Sequence, residues 1–388
     1  MKLAGRRILI AGSADPQTPE ADLLYAHALI RELARALVLK GASFVVSFGK
    51  EPRLAGRNEG PSIIFDWTVA ESINSALSTG KAEASGPSGK LIATVATEKT
   101  FCQVPQQRLE LYNGLRSAKA ISMDFLEPGW TSGAVRRQRQ AQLADMLIAV
   151  SGGEGVEHLA LEMASYGKQV IPLDIELGAS CRDGSGGAPK LFREALKDPT
   201  LFFTVRPDES GPELLDRCSV RAGAVPASDV TTAVLRLLEA LVSPKVFYVR
   251  LLNKDLAEYA PVEQFFRSVV DPIVTELGLE PLQMGIGLNE FAWMNQAIFD
   301  SLHHSHVAVV DLTGLRNNCF MELGYALGRP QRVILTAQKG TSLPFDSIAL
   351  ETYLWDPSKP PDELRKELRE HWSRNINMPP LVRPRGLR

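Results

Sequence analysis

Cysteine is scarce: four in 388 residues, at Cys102, Cys181, Cys218 and Cys319. No two of them form a CxxC pair. That argues against a zinc site and a disulfide framework, and fits a reducing, cytoplasmic compartment. An excess of one charge is also missing. With 43 Lys and Arg against 45 Asp and Glu, the net charge is −2, so no global basic field draws nucleic acid to the chain. No stretch reaches the ~18 consecutive apolar residues of a membrane span. The basic start, Met1 to Arg7, is followed only by the short apolar run Ile8 to Ala11, too little for the core of a signal peptide. The expectation is a cytoplasmic protein with no membrane, nucleic-acid or metal partner. His303, His304 and His306 do not match HExxH and read as an exposed helix end.

What is present is an ordinary globular composition, 45% hydrophobic and 23% charged, in a chain long enough for two or three domains. Apolar runs of strand length alternate with segments of helical periodicity. Arg7 to Ser13 is a buried strand, Ala21 to Leu39 a helix stopping at Gly41, and Ser43 to Ser47 the next strand. A strand running into a helix follows at 63–77, then strands at 91–95, 118–123, 146–150 and 169–173, with helices at 135–143 and 156–166. Ser78 to Lys90 and Asp174 to Ala188 read as loops. After the helix at 231–241 the rhythm restarts. It gives strands at 246–251, 280–284, 306–311 and 331–336, helices at 261–277, 290–302 and 318–328, and a charged terminal helix at 362–372. Such alternation predicts α/β architecture with two doubly wound, mostly parallel sheets. The expected organisation is a first domain over 1–222, a connector over 223–243, and a second domain over 244–388.

Two motifs carry chemistry. The first is Ser151-Gly152-Gly153-Glu154-Gly155, a glycine-rich turn between a strand and a helix. Glycines let backbone approach a ligand, and a helix start offers unpaired N–H groups to a phosphate. The GxGxxG and P-loop patterns are both absent, so from the residues alone an empty tight turn competes evenly with a phosphate cradle. Arg136, Arg137 and Arg139 on the preceding helix either meet phosphates or form a solvated basic face.

The second motif is Val307 to Leu335, in which a strand ends at Asp311, a polar loop follows, and a helix carries one acid, Glu322, among Phe320, Met321, Leu323 and Tyr325. The acid is expected in the first turn of that helix. A carboxylate amid apolar neighbours is costly unless paired or used, and the carboxyl edge of a parallel sheet is where α/β proteins place ligands. Asp311 has two readings, a substrate contact or positioner of Glu322, and an Asx turn near Gly314. Asn317 and Asn318 either bond substrate or cap the helix. Tyr248 and Arg250, two apart on a strand, share a face. Phe291 and Trp293 beside Gly285-Ile286-Gly287 read as base-stacking or core residues, and Asp300 as a candidate base contact.

Both motifs resemble known families. AVSGGEGVEHLALEMASYGKQVIPL, with Arg7 to Ser13 as first strand and turn, resembles the core of the SLOG superfamily over about residues 5 to 205. That superfamily includes the cytokinin-activating phosphoribohydrolases and DprA. The resemblance implies a Rossmann-like domain whose nucleotide-signal site holds Gly12, Ser13, Arg136, Gly152, Gly153, Glu154 and Gly155. Val156 replaces the family Thr, and His158 and Leu159 fall where its catalytic acids are expected, which implies a sensor and not a hydrolase. DLTGLRNNCFMELGYALGRPQRVIL resembles the core of nucleoside 2-deoxyribosyltransferase-like and TIR-like families, over about residues 244 to 357. Val246 to Arg250 matches the first strand, and Leu343-Pro344-Phe345-Asp346 the segment after the last parallel strand. This implies a flavodoxin-like domain that cleaves an N-glycosidic bond, with Glu322 catalytic, Asp311 beside it, and Tyr248, Arg250, Asp300 and Asn318 contacting substrate.

Fusions of this kind resemble bacterial antiphage effectors. They imply a nucleotide-derived activator, a homo-oligomer, NAD or a related nucleotide as substrate, and no other cofactor. In NAD the nicotinamide leaves from a cationic state and needs no general acid, whereas a neutral nucleoside leaves more easily once its base is protonated. One well-placed carboxylate therefore mildly favours NAD or a related activated nucleotide. A salvage-type deoxyribosyltransferase or nucleoside hydrolase, and a non-catalytic nucleotide-binding regulator, are the alternatives.

Overall fold

The computed structural model describes residues 3–86, 89–97, 102–126, 132–178, 186–220, 225–282, 294–329, 332–344 and 350–375. The chain divides into two compact units, Met1–Val242 and Ser243–Arg383, each built on one parallel sheet. Among the described residues no helix is long and apolar enough to cross a membrane.

In the first unit the strands are β1 (Arg7–Ser13), β2 (Ser43–Val45), β3 (Ile92–Thr97), β4 (Ile121–Leu126), β5 (Met146–Ser151) and β6 (Gln169–Leu173). They pair in the order β4-β3-β2-β1-β5-β6, and every pairing is parallel. The strands read as unbroken apolar runs because helices cover both faces; Leu147 to Val150 have no exposed surface. Helix α1 (Glu20–Leu39) buries a wide stripe of Leu23, Leu29, Ile30, Leu33 and Leu37, the period an amphipathic helix needs. The other helices are α2 (Asp66–Ser78), α3 (Leu109–Ser117), α4 (Ser132–Leu143), α5 (Glu154–Ser165), α6 (Gly187–Lys197), α7 (Gly211–Asp216) and α8 (Ala227–Ala240).

Three elements differ from the expectation. Within the anticipated loop at 78–90, Ser85–Gly86 and Gly89–Lys90 pair as a short antiparallel ribbon. Helix α6 follows the second anticipated loop. Its proline at the third position, Pro189, falls where a helix needs no N–H from it, and its apolar residues Leu191, Phe192 and Ala195 face inward. Helix α8, anticipated as a connector, belongs to the first unit. It buries Val230, Val234, Leu237 and Leu238, and Lys40 at the end of α1 pairs with its Glu239 at 2.7 Å.

In the second unit the strands are β7 (Lys245–Val249), β8 (Glu280–Leu282), β9 (Val307–Asp311), β10 (Arg332–Gln338) and β11 (Thr352–Trp355). Their order is β8-β7-β9-β10-β11, all parallel. Numbered within the unit this is 2-1-3-4-5, the flavodoxin-like order, whose switch point lies between its first and third strands. Strand β11 was not anticipated. The helical stretch predicted at 261–277 contains two α segments, Tyr259–Phe265 (α9) and Asp271–Glu276 (α10), joined by a π turn at Phe266–Val270. Further on come α11 (Met294–His303), α12 (Asn317–Leu327) and α13 (Pro361–Asn375). The sheet separates two cores. Val246, Val307, Val309, Phe265, Val269 and Trp372 pack on one face; Phe247, Val249, Ala308, Cys319, Leu323 and Ala326 pack on the other.

Candidate functional site

Two carboxyl edges gather the chemistry, one in each unit. In the first, β1 and β5 lie side by side, and register pairs Ser13 with Ser151. The two strand ends approach so closely that a Cβ on Gly12 would stand 1.7 Å from the Val150 carbonyl oxygen. Ser151 takes a left-handed conformation, φ 52°, in which β-carbon residues are uncommon; its Oγ accepts the Leu177 N–H at 3.2 Å. Gly187, φ +71°, sits over the turn, and a Cβ there would meet the Gly152 carbonyl oxygen at 1.9 Å. Glu157 clamps this packing by accepting the Gly187 N–H and the Lys190 ammonium, each at 2.7 Å.

Gly152, Gly153, Glu154 and Gly155 thus form a tight turn that opens α5, with Glu154 and Gly155 exposed. The two arginines before it divide their surroundings. A guanidinium nitrogen of Arg137 lies 3.8 Å from where a Gly155 Cβ would stand. Arg136 instead acts on Asp66, whose carboxyl burial pushes upward while the Ser47 N–H and Arg136 pull it back. Arg139 pairs with Asp124 and is 5% exposed, so it is committed to structure. Leu159, where the superfamily would place an acid, is buried at 3% exposure, and His158 is exposed beside Glu162. Sequence reading passed over Asp66, Ser47 and Gln140, which meet at the end of β2; Ser47 Oγ accepts from Gln140 at 2.7 Å. The available signal was an acid at the first position of α2.

A concave region of about 510 Å³ in the same unit is lined by Tyr25, Asp174, Glu176, Phe192, Arg193 and Asp216, among others. Burial raises the Asp174 carboxyl, and the Glu176 charge raises it further. Acids dominate its charged wall, which disfavours an anionic ligand there.

In the second unit Asp311 ends β9 with no exposed surface. Its Oδ1 accepts the Thr313 N–H at 3.0 Å, the Asx-turn bond. Its Oδ2 accepts Thr336 Oγ1 at 2.8 Å and Trp355 Nε1 at 2.9 Å. Burial raises its pKa, and these donors oppose the rise. With both oxygens engaged behind the strand end, Asp311 offers a substrate no free atom; it braces β9 to β10 and β11. The Trp355 ring that donates to it stacks on Phe265 at 4.6 Å.

Glu322 stands apart. It is the sixth residue of α12, in the second turn and not the first, because the helix begins at Asn317 after Arg316. Cys319, Leu323 and Ala326 form the buried stripe of the helix, and Glu322 flanks it, half-buried. Among the described residues it has no hydrogen bond and no ion pair, and burial alone raises its pKa. The Cys319 thiol one turn earlier is pushed up to about 12, by burial first and then by the charges of Glu322 and Asp311, so it is no nucleophile.

The remaining predicted residues do not converge on Glu322. Tyr248 donates to Asp271 Oδ1 at 2.8 Å and packs edge-on against Phe266 at 5.1 Å. Burial pushes its phenol well above the ordinary value. Arg250 pairs with Glu263 and lies 4.8 Å over the Phe266 ring. Strand alternation does put both beside Phe266, but Tyr248 packs with the core of one sheet face and Leu323 of α12 with the other. Asp300 is exposed and 3.4 Å from His304. Asn318 is exposed on the first turn of α12, and the N-cap is Arg316, not an asparagine. His303 Nδ1 meets Tyr325 Oη at 2.5 Å, and no group of His, Cys, Asp or Glu among the described residues could hold a metal. The Gly285-Ile286-Gly287 loop, Phe291, Trp293, Phe345, Asp346 and Cys181 lie outside the described residues.

Comparison with known proteins bears on the first unit. The chain is 24% identical over 257 residues to the ATP nucleosidase Cap17 of Escherichia coli strain KTE188, covering 64% of this chain and 49% of that protein. A second Escherichia coli ATP nucleosidase Cap17 matches to the same extent. The chain therefore spans about half the length of the curated relatives it matches. A family profile for the N-terminal region of Cap17-like ATP nucleosidases covers residues 3–235, close to the limits of the first unit. On that match over more than half its length, the chain belongs to the Cap17-like ATP nucleosidase N-terminal family.

Proposed function

We propose that this protein is a nucleotide-responsive N-glycosidase effector of antiphage defence. Its first unit, SLOG-like, takes a nucleotide signal on the glycine turn. Its second unit, TIR-like or deoxyribosyltransferase-like, cleaves the N-glycosidic bond of NAD or a related nucleotide. The observation that carries this is Glu322: a half-buried carboxylate, unpaired among the described residues, beside the central strand of a 2-1-3-4-5 sheet. A group kept ionisable and unpaired in such a place is a candidate for chemistry.

In the reaction the C1′–N bond breaks and its electron pair leaves with the base. Positive charge develops on the ribosyl ring, where a carboxylate stabilises it or adds to C1′ before water does. Asp311 serves as a positioning residue that fixes the strand end before α12. The relatives' name, ATP nucleosidase, supports glycosidic cleavage of a nucleotide. It also favours a second reading in which ATP is the substrate. Adenine leaves ATP more easily once protonated, which asks for an acid besides Glu322; with a single such acid found, NAD is the first choice.

The test is base release from NAD, ATP and deoxynucleosides by wild type and Glu322→Gln, with and without a panel of cyclic and ADP-ribose-derived nucleotides. Activator-dependent release that the variant loses supports the effector reading, and the cleaved substrate decides between NAD and ATP. Activator-free base exchange between nucleosides would replace it with a salvage enzyme. No release under any condition would leave a binding protein.

A further inference from the structure

The acid missing from positions 158 and 159 of α5 has a counterpart on the neighbouring strand ends. Backbone bonds tie the segment before α2 to the end of β1, which borders the glycine turn: the Ala14 N–H donates to the Ile63 carbonyl at 2.8 Å, Ser13 bridges Ile64, and the Ser13 carbonyl accepts the Gly152 N–H at 2.9 Å. Asp66 follows two residues later. Its Oδ1 accepts the Ser47 N–H at 2.7 Å, which places the carboxylate at the end of β2. Its Oδ2 accepts nothing from another described residue, and no cation lies within ion-pair distance of it among them. Arg136 acts on it from α4, and the adjacent Arg137 reaches the glycine turn. The Nε atoms of both arginines are buried without a hydrogen-bond partner. Strands β5, β1 and β2 are consecutive neighbours in the sheet, so the strand that leads into the turn and the strand whose end holds Asp66 are two inter-strand spacings, about 10 Å, apart.

That separation suits one ligand geometry. A phosphate on the turn amides and Arg137 leaves the ribose of a 5′-nucleotide extending toward β2, where a carboxylate with a free oxygen accepts vicinal hydroxyls. Parallel α/β sheets commonly pair a phosphate-binding turn with an acid on a neighbouring strand in this manner.

We propose that Asp66 recognises the ribose 2′,3′-diol of the ligand, so that the first unit selects ribonucleoside 5′-phosphates. This rests on the glycine turn being the phosphate site. It gives the Asp66 carboxylate a task, and it gives the arginines of α4 separate ones: Arg137 for phosphate, Arg136 for opposing the upward push of burial on Asp66.

The experiment titrates the full chain with AMP and with 2′,3′-dideoxy-AMP by calorimetry, for wild type and Asp66→Asn. Asparagine keeps the oxygen that accepts from Ser47. Wild type is expected to bind AMP about tenfold or more tightly than the dideoxy analogue, the worth of charge-assisted hydrogen bonds. Asp66→Asn is expected to lose that preference while binding the analogue as wild type does. Equal affinities in wild type, or an unchanged preference in the variant, overturn the proposal and leave the phosphate site standing. Absence of binding by either nucleotide to wild type overturns the phosphate site and the proposal together. Should Asp66→Asn not fold, Asp66→Glu, which moves the charge by one methylene, is expected to reduce the preference, and retention of it counts against the diol contact.

Discussion

The carboxyl edge of the first sheet presents backbone amides, arginines and an acid, Asp66, on which Arg136 acts, whereas that of the second presents Glu322, whose pKa burial alone shifts. The first edge is shaped by close approach: Gly12 against Val150, and Gly187 against Gly152. The second is shaped by a buried brace, Asp311 bonded to Thr313, Thr336 and Trp355, with Glu322 left unbonded one helix away. Parallel sheets thus supply similar edges, and the residues at the strand ends decide whether an edge favours an anion or a developing cation. In the first unit one of the two positions expected to hold an acid is filled by buried Leu159.

The sharpest way to break this contrast is Glu322→Gln. Base release should fall by about 10³-fold, the usual scale for losing a catalytic carboxyl group, with the helix content unchanged by circular dichroism. An undiminished rate would move the chemistry out of the second unit.

Next in size is Gly12→Ala. The new methyl would overlap a carbonyl oxygen whose strand cannot retreat, so a loss of more than ~3 kcal/mol is expected. Denaturant unfolding should show the early transition confined to the first unit, and an unaffected midpoint would contradict the close approach.

Asp311→Asn should cost about 2 kcal/mol. The amide nitrogen it introduces faces donors from Thr336 or Trp355, or from the Thr313 N–H. If Asp311 were instead a catalytic contact, stability would hold while turnover fell, and thermal melts run beside rate measurements separate the two.

The smallest effect is electrostatic. The folded pKa of Glu322 is raised above its ordinary 4.5, so its ionised form is disfavoured by folding. This penalty is absent below the unfolded pKa and complete above the folded one. Glu322→Gln should therefore be slightly more stable than wild type at neutral pH, by under ~1 kcal/mol for a half-exposed group. The advantage should vanish as pH falls through the folded pKa. In parallel, the acidic limb of the wild-type rate profile should lie above pH 4.5; a limb at or below that value would show the carboxyl to be unperturbed.

Much of this architecture was legible in the chain. β1 and β6 were read at their observed limits, and α1 and β5 within a residue, because an apolar run of strand length between turn residues has few other solutions. The glycine turn and Glu322 were legible as residue types at strand–helix junctions. Asp66 was not, since an acid opening a helix is ordinary until Ser47 and Arg136 are placed around it. The choice between Arg136 and Arg137 was equally hidden: adjacent helical residues diverge by about 100°, and only packing shows which one meets the turn. Tyr248 and Arg250 were correctly given a shared face, but periodicity has no means of saying that α12 covers the opposite one.

By itself, then, the sequence determined the alternation of strands and helices, the break near residue 243, and the presence of a glycine turn and a lone acid. These depend on local spacing and on what neighbouring residues can bury. Tertiary structure decided the 2-1-3-4-5 order, the sealing of Asp311, the second-turn position of Glu322, and the placing of Ser47 and Arg136 around Asp66. Each of these depends on contacts between segments distant in the chain, which long-range packing creates and no local pattern encodes.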